Sequence, residues 1–156
     1  MTLSDSTNVV FDCNVFAQAL ISPRGPAAAC VAHAQLGRLV LFVSDYVLQE
    51  IRELPQKLKP QLGVSPELIE RFIQDIAKYA RVVDDVPNVY THPHDPDDSH
   101  YVNLAVATES QLIVSRDRHL LNLMDTARPE GKEFKKLFPA LTVLTPDVFA
   151  NQLRAG

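Results

Sequence analysis

Four acidic residues stand where a carboxylate can do chemistry rather than meet solvent. Asp12 ends the apolar run Asn8-Val9-Val10-Phe11, and Asp117 stands just beyond the run Gln111-Leu112-Ile113-Val114-Ser115. Glu50 interrupts an apolar helical stripe of Val47, Ile51 and Leu54. Asp98 heads a second stripe, Tyr101, Val102 and Ala105, whose spacing turns one helix face inward. Carboxylates gathered in one pocket repel and raise one another's pKa, which a divalent cation relieves. Oxygen-only ligation suits Mg²⁺ or Mn²⁺. Such a centre can activate water for in-line attack on a phosphodiester. Each acid also has a purely structural reading. Asp97 or Asp98 can cap the helix that follows and Asp117 a short helix, while Asp12 can be a strand-end turn residue. Glu50 can reach solvent from the edge of its stripe.

The elements that must position these acids alternate along the chain. Asn8 to Phe11 reads as a buried strand, Leu39 to Val43 as a second continuous apolar strand, and 81–83, 111–115 and 141–144 as three more. Helices are expected over 27–36, from Ser44, after Ser65-Pro66-Glu67, from Asp98, over 119–124 and after Thr145-Pro146-Asp147. Residues 127–136 are polar and basic and read as a loop or surface turn. A helical excursion at about 55–80, broken by Pro55 and Pro60, reads as a clip over one end of the sheet or a partner surface. The whole is an α/β fold, a parallel sheet covered on both faces. Right-handed crossovers bring every strand's carboxyl end to one edge, where such sheets bind ligands. Asp12, Asp98, Asp117 and Glu50 would then meet there.

Composition narrows the class. The 156 residues fit one domain spanning 1–156 with a sizeable core. Fifteen Lys and Arg against nineteen Asp and Glu leave a net charge of −4, which argues against coating nucleic acid by bulk attraction. It does not exclude a nuclease whose acids hold metal. No apolar run is long enough to span a bilayer, and the polar start, Met1 to Thr7, does not read as a secretory signal. Cys13 and Cys30 form no CxxC and read as small buried side chains in a reduced, cytoplasmic setting.

Taken in order, these motifs resemble the PIN domain family: Asp12-Cys13-Asn14, Ser44 through Glu50, Asp98 through Ala105, and Ser115-Arg116-Asp117 running on to Leu121. The spelling Asp95-Pro96-Asp97-Asp98 looks like the bacterial branch of VapC-like toxin components of toxin–antitoxin pairs. The resemblance implies a three-layer α/β/α fold with a five-stranded parallel sheet in the flavodoxin-like order 3-2-1-4-5. It implies Mg²⁺-dependent endoribonuclease activity, a homodimer, and an antitoxin partner that blocks the site. Carried over, Asp12, Asp98 and Asp117 would be metal ligands, and Glu50 would bind metal or position the attacking water. Asn14 and Ser115 would orient the ligands. Cys13 stands where Thr is common, and Ser115-Arg116 where Thr-Gly is common; neither change removes a ligand.

Other readings compete. A PIN fold can hold RNA or a protein without cutting. A haloacid dehalogenase-type phosphatase also places an Asp after its first strand, but wants a second Asp where this chain has Asn14. His92, His94, His100 and His119 flank the acids in no recognisable ligand pattern and read as solvated loop residues. Arg24, Arg116, Arg118, Lys132, Lys135 and Lys136 are the candidates to hold an RNA backbone.

Overall fold

A computed structural model describes residues 7–155; the polar start at 1–6 lies outside the described residues. Five short strands form one parallel sheet in the order β3-β2-β1-β4-β5. They are β1 (Asn8–Phe11), β2 (Val40–Ser44), β3 (Ala80–Val83), β4 (Leu112–Val114) and β5 (Thr142–Leu144). The expected strands and their order are therefore present, with no end shifted by more than one residue. Val9, Val10, Leu41, Leu112, Ile113 and Val114 are fully buried, as continuous apolar strands between two helical layers require.

The helices are α1 (Cys13–Ile21), α2 (Pro26–Gln35), α3 (Asp45–Arg52), α4 (Leu54–Lys57), α5 (Pro66–Tyr79), α6 (Ser99–Ala107), α7 (Arg118–Leu121), α8 (Pro129–Leu137) and α9 (Pro146–Ala155). Local chemistry sets several of their starts. Ser44 Oγ accepts from the Val47 N–H at 3.1 Å, and Ser65 Oγ from the Leu68 N–H at 3.1 Å. Pro occupies the first helical turn of α2, α5 and α8. The excursion at 55–80 resolves into α4, a 3-10 turn at Pro60–Leu62, and α5. Helix α5 buries Ile69, Ile73 and Ile76 and leads directly into β3. Its Phe72 ring meets Phe16 of α1 edge-on at 6.2 Å.

One expectation fails in this region of the chain. Residues 127–136, read as loop, contain α8. The segment offers a single large apolar side chain, Phe134, so it shows no hydrophobic period, yet that ring is fully buried. Phe134 packs against Tyr90 at 5.7 Å and Phe138 at 5.3 Å. Helix α8 also sits tight on the turn before it: a Cβ added to Gly131 would fall 1.9 Å from the Asp125 carbonyl oxygen. The signal present in the sequence was Pro129, a helix-starting proline.

The long connection between β3 and α6 is fastened down rather than free. Asn103 of α6 accepts from the Val89 and Tyr90 N–H groups at 3.0 and 2.8 Å. Tyr90 then joins the Phe134 and Phe138 cluster, which fixes the loop that delivers the acidic turn.

Candidate active site

Two central strands carry the first pair of groups. β1 and β4 are neighbours, with Phe11 aligned to Val114, so Asp12 and Ser115 emerge side by side at the carboxyl edge. The Asp12 N–H continues the ladder by donating to the Val114 carbonyl at 2.9 Å. Asp12 is buried, and its two oxygens are separately used. Oδ1 accepts from the Asn14 backbone N–H at 3.1 Å, capping α1. Oδ2 accepts from Ser115 Oγ at 2.6 Å. Burial pushes the Asp12 carboxyl above its ordinary range, and these hydrogen bonds oppose that push. The Asn14 side chain is exposed, so its link to Asp12 runs through the backbone.

Asp117 follows Ser115 in the turn out of β4. Its N–H donates to Ser115 Oγ at 2.9 Å, and its Oδ1 accepts from the His119 N–H at 2.7 Å, capping α7. The capping reading therefore holds for Asp117, and Asp12, read as a strand-end turn residue, caps a helix as well; each spends one oxygen on a helix start.

It does not hold for Asp98. The acidic turn Pro96–Asp98 is a 3-10 turn running into α6, and the Asp98 side chain makes no capping hydrogen bond. Asp98 is 8% exposed, and its Oδ2 is buried without a hydrogen-bond partner. Burial first, then the charge and close approach of Asp117, push its carboxyl up to about 8. Without a cation the Asp98 carboxyl therefore keeps its proton near neutral pH. The charges of Asp95 and Asp12 push the same way.

Glu50 enters from α3 and is tied to the other acids by a residue read from sequence only as an inward-facing side chain. The Tyr101 hydroxyl donates to Glu50 Oε1 at 2.7 Å and accepts from the Cys13 N–H at 3.0 Å. It also lies close enough to Asp12 to lower that carboxyl's pKa. Burial and the flanking acids raise the Tyr101 hydroxyl far above its ordinary range, so it stays a neutral donor. Burial and Glu50 push the neighbouring Cys13 thiol up to about 12, which removes it as a nucleophile.

Three of the four histidines, His92, His100 and His119, depart from the solvated-loop reading. His92 is 1% exposed. Its Nδ1 accepts from the His94 and Asp95 N–H groups, each at 3.1 Å, so its Nε2 carries the proton and donates to the His119 carbonyl at 2.9 Å. One buried imidazole thus ties the acidic turn to the Asp117 turn. His119 Nδ1 lies 3.1 Å from Asp95 Oδ2 and 3.9 Å from Asp117 Oδ1. Single ligand atoms of Asp95, Asp98 and His119 all lie within 4.8 Å of one another. His100 Nε2 lies 3.2 Å from Glu50 Oε1 but is not aligned for a hydrogen bond; its ring stacks on Tyr101 at 3.8 Å and Tyr46 at 4.2 Å. His94 is exposed and reaches buried Glu130 of α8 at 3.0 Å. These contacts come from tertiary packing and left no periodic trace in the chain.

The basic candidates come from three parts of the chain. Arg116 and Arg118 are exposed on either side of Asp117. Arg24 is exposed in the turn between α1 and α2. Lys132, Lys135 and Lys136 are exposed on α8, and Lys135 lines a groove with Leu141 and Thr142 at the start of β5, away from the acidic edge. Among the described residues, no helix is long and apolar enough to cross a membrane.

Comparison with known proteins agrees with this fold. A family model described as PIN domain matches residues 8–119, from β1 to the His119 turn. An uncharacterized protein of Methanocaldococcus jannaschii, MJ1680, is 27% identical over 146 residues, covering 92% of this chain and 90% of that one. The fold is shared with the crystal structure of VapBC2 from Rickettsia felis bound to a DNA fragment from their promoter: TM-score 0.56, 11% identity, 89% of this chain and 98% of that chain covered. A sheet ordered β3-β2-β1-β4-β5, acids gathered at its carboxyl edge, and a family match over most of the length lead to one assignment: this chain belongs to the PIN domain family.

Proposed function

We propose that this protein is a metal-dependent endoribonuclease and the toxin of a toxin–antitoxin pair. The observation that carries the reading is Asp98. A buried carboxylate oxygen has no partner, beside three further acids, and the carboxyl is pushed out of its ordinary range by its surroundings. A divalent cation would satisfy that oxygen and offset the crowded charge. The donors offered by Asp12, Asp98 and Asp117 are all oxygen, which fits Mg²⁺ or Mn²⁺.

When bound, the cation supplies water activation and stabilisation of the departing oxygen. The chain's own groups do the rest. Asp12, Asp98 and Asp117 would hold the ion. Ser115 orients Asp12 and the Asp117 turn together, and Asn14 supports Asp12 through its backbone. Glu50, held by Tyr101, accepts the proton of the attacking water. Arg116 and Arg118 are placed to meet an RNA backbone beside Asp117, with Arg24 and the α8 lysines as outer contacts. An antitoxin protein would cover this edge, and the protein would act as a homodimer in the cytoplasm. The VapBC2 likeness supports a partnered toxin fold.

The test is cleavage of a mixed structured RNA pool with Mg²⁺ or Mn²⁺, beside EDTA and Asp98→Asn. Cutting that needs both the metal and Asp98 establishes the reading. Failure of clean, metal-loaded protein to cut several RNAs, while still binding them, would replace it with a non-catalytic RNA-binding module.

A further inference from the structure

We propose a second cation site, formed by Asp95, Asp98 and His119, that takes a divalent first-row transition metal in preference to Mg²⁺. It adjoins the proposed catalytic site and shares Asp98 with it, but it does not depend on RNA being the substrate.

Three observations carry it. The ligand atoms of these residues already lie within 4.8 Å of one another. A coordination shell with bonds of about 2.0–2.2 Å sets its ligands roughly 3 Å apart, so modest closure suffices. His119 Nδ1 already lies 3.1 Å from Asp95 Oδ2. Asp98, a member of this group, is only 8% exposed, and its Oδ2 is buried without a hydrogen-bond partner.

The chemistry of the set decides the metal. Two carboxylates and one neutral imidazole match a divalent charge. An imidazole nitrogen favours Mn²⁺, Co²⁺ or Zn²⁺ over Mg²⁺, which prefers oxygen and keeps its waters. The remaining shell is preformed. His92 holds the Asp95 N–H at Nδ1 and the His119 carbonyl at Nε2, so one buried ring sets the distance between the two outer ligands. His119 and Asp95 are partly exposed, which leaves an entry path and room for water ligands.

The experiment uses Co²⁺ as an optical probe on the full, metal-stripped protein held in millimolar Mg²⁺. One equivalent of Co²⁺ should bind in the presence of Mg²⁺ and give a visible d–d band. His119→Ala should weaken that binding at least tenfold, with His119→Gln as a second variant. Asp12→Asn should leave the Co²⁺ band in place while abolishing Mg²⁺-dependent RNA cleavage, which separates the two sites. Thermal melts check that each variant is folded. Co²⁺ binding unchanged in both His119 variants, or fully displaced by Mg²⁺, overturns the proposal. A His119-dependent band in a protein that cuts no RNA upholds it and sinks the ribonuclease reading alone.

Discussion

Ser115 and Asp12 lie 103 positions apart in the chain, yet the Ser115 hydroxyl donates to Asp12 Oδ2 at 2.6 Å. The same hydroxyl accepts the Asp117 N–H at 2.9 Å. One small side chain thereby sets two of the proposed metal ligands relative to each other. Ser115→Ala should lower metal affinity about tenfold to a hundredfold, the usual cost of losing a group that orients a ligand. It should also destabilise the fold by about 1–3 kcal/mol, because a buried carboxylate and a backbone N–H lose a partner. Ser115→Thr, which keeps the hydroxyl, should recover most of the affinity. Calorimetric titration with Mn²⁺ and urea unfolding measure the two effects; unchanged Mn²⁺ affinity in the alanine variant would refute the orienting role.

Tyr101→Phe tests the link between Glu50 and the rest of the site. It removes the donor to Glu50 and leaves the buried Cys13 N–H unmatched. About 1–3 kcal/mol of stability should be lost. The cleavage rate should fall with little change in RNA affinity, because Glu50 is proposed to act on water and not on the RNA backbone. Single-turnover kinetics beside an RNA-binding assay would separate the two.

The raised pKa of Asp98 makes a signed statement about acid and stability. Its folded value, about 8, lies above its ordinary 3.8, so the folded state holds a proton that the unfolded chain has released across that window. The stability this gives is complete below about pH 4 and is lost as pH rises toward 8. Asp12 is shifted in the same direction. The melting temperature of metal-free protein should therefore fall between pH 5 and 8. Asp98→Asn should flatten that slope, and saturating Mg²⁺ should do the same in the unmutated protein. A slope that survives both treatments would place its origin elsewhere.

The basic residues should separate in their effects on RNA. Arg116→Glu and Arg118→Glu, flanking Asp117, should weaken RNA binding and lower its salt dependence by roughly one unit of log–log slope per lost phosphate contact. Lys135→Glu should change either quantity much less, since Lys135 lines a groove at the start of β5. Binding titrations at several salt concentrations give both numbers. Equal losses from all three variants would mean that the RNA path crosses α8.

Helix α8 should matter to stability more than its polarity suggests. Phe134→Ala should cost about 3–5 kcal/mol, because a fully buried ring would leave a cavity among Tyr90, Phe138 and Leu123. Gly131→Ala should also destabilise, since its Cβ would meet the Asp125 carbonyl. Denaturant unfolding checks both; a Phe134→Ala loss under 1 kcal/mol would mean that the helix is marginal to the core.

Much of this molecule was legible in the chain because it follows from short-range rules. Strands buried on both faces spell continuous apolar runs, and proline or serine marks helix starts such as Pro66, Ser65 and Ser44. The four acids were legible because each interrupts or ends such a pattern. What escaped the sequence depends on contacts between distant segments. One buried phenylalanine in a charged stretch gives no period, so α8 looked like loop. His92 looks like any loop histidine until the β4–α7 turn folds over it. Tyr101 read as core because its ring is core, while its hydroxyl faces the acids. Asp95 was hidden among the three acids of its own turn, and only its distance to His119 distinguishes it.

The pairing of β1 with β4 also orders events during synthesis. Asp12 acquires Ser115 as a partner only after Val9, Val10 and Phe11 have found Leu112, Ile113 and Val114. A ribosome-bound chain that has made Asp12, Glu50 and even Asp98 still lacks the strand that aligns the Asp117 turn. The acid quartet is therefore completed late in translation, and nascent chains that end before β4 cannot assemble it.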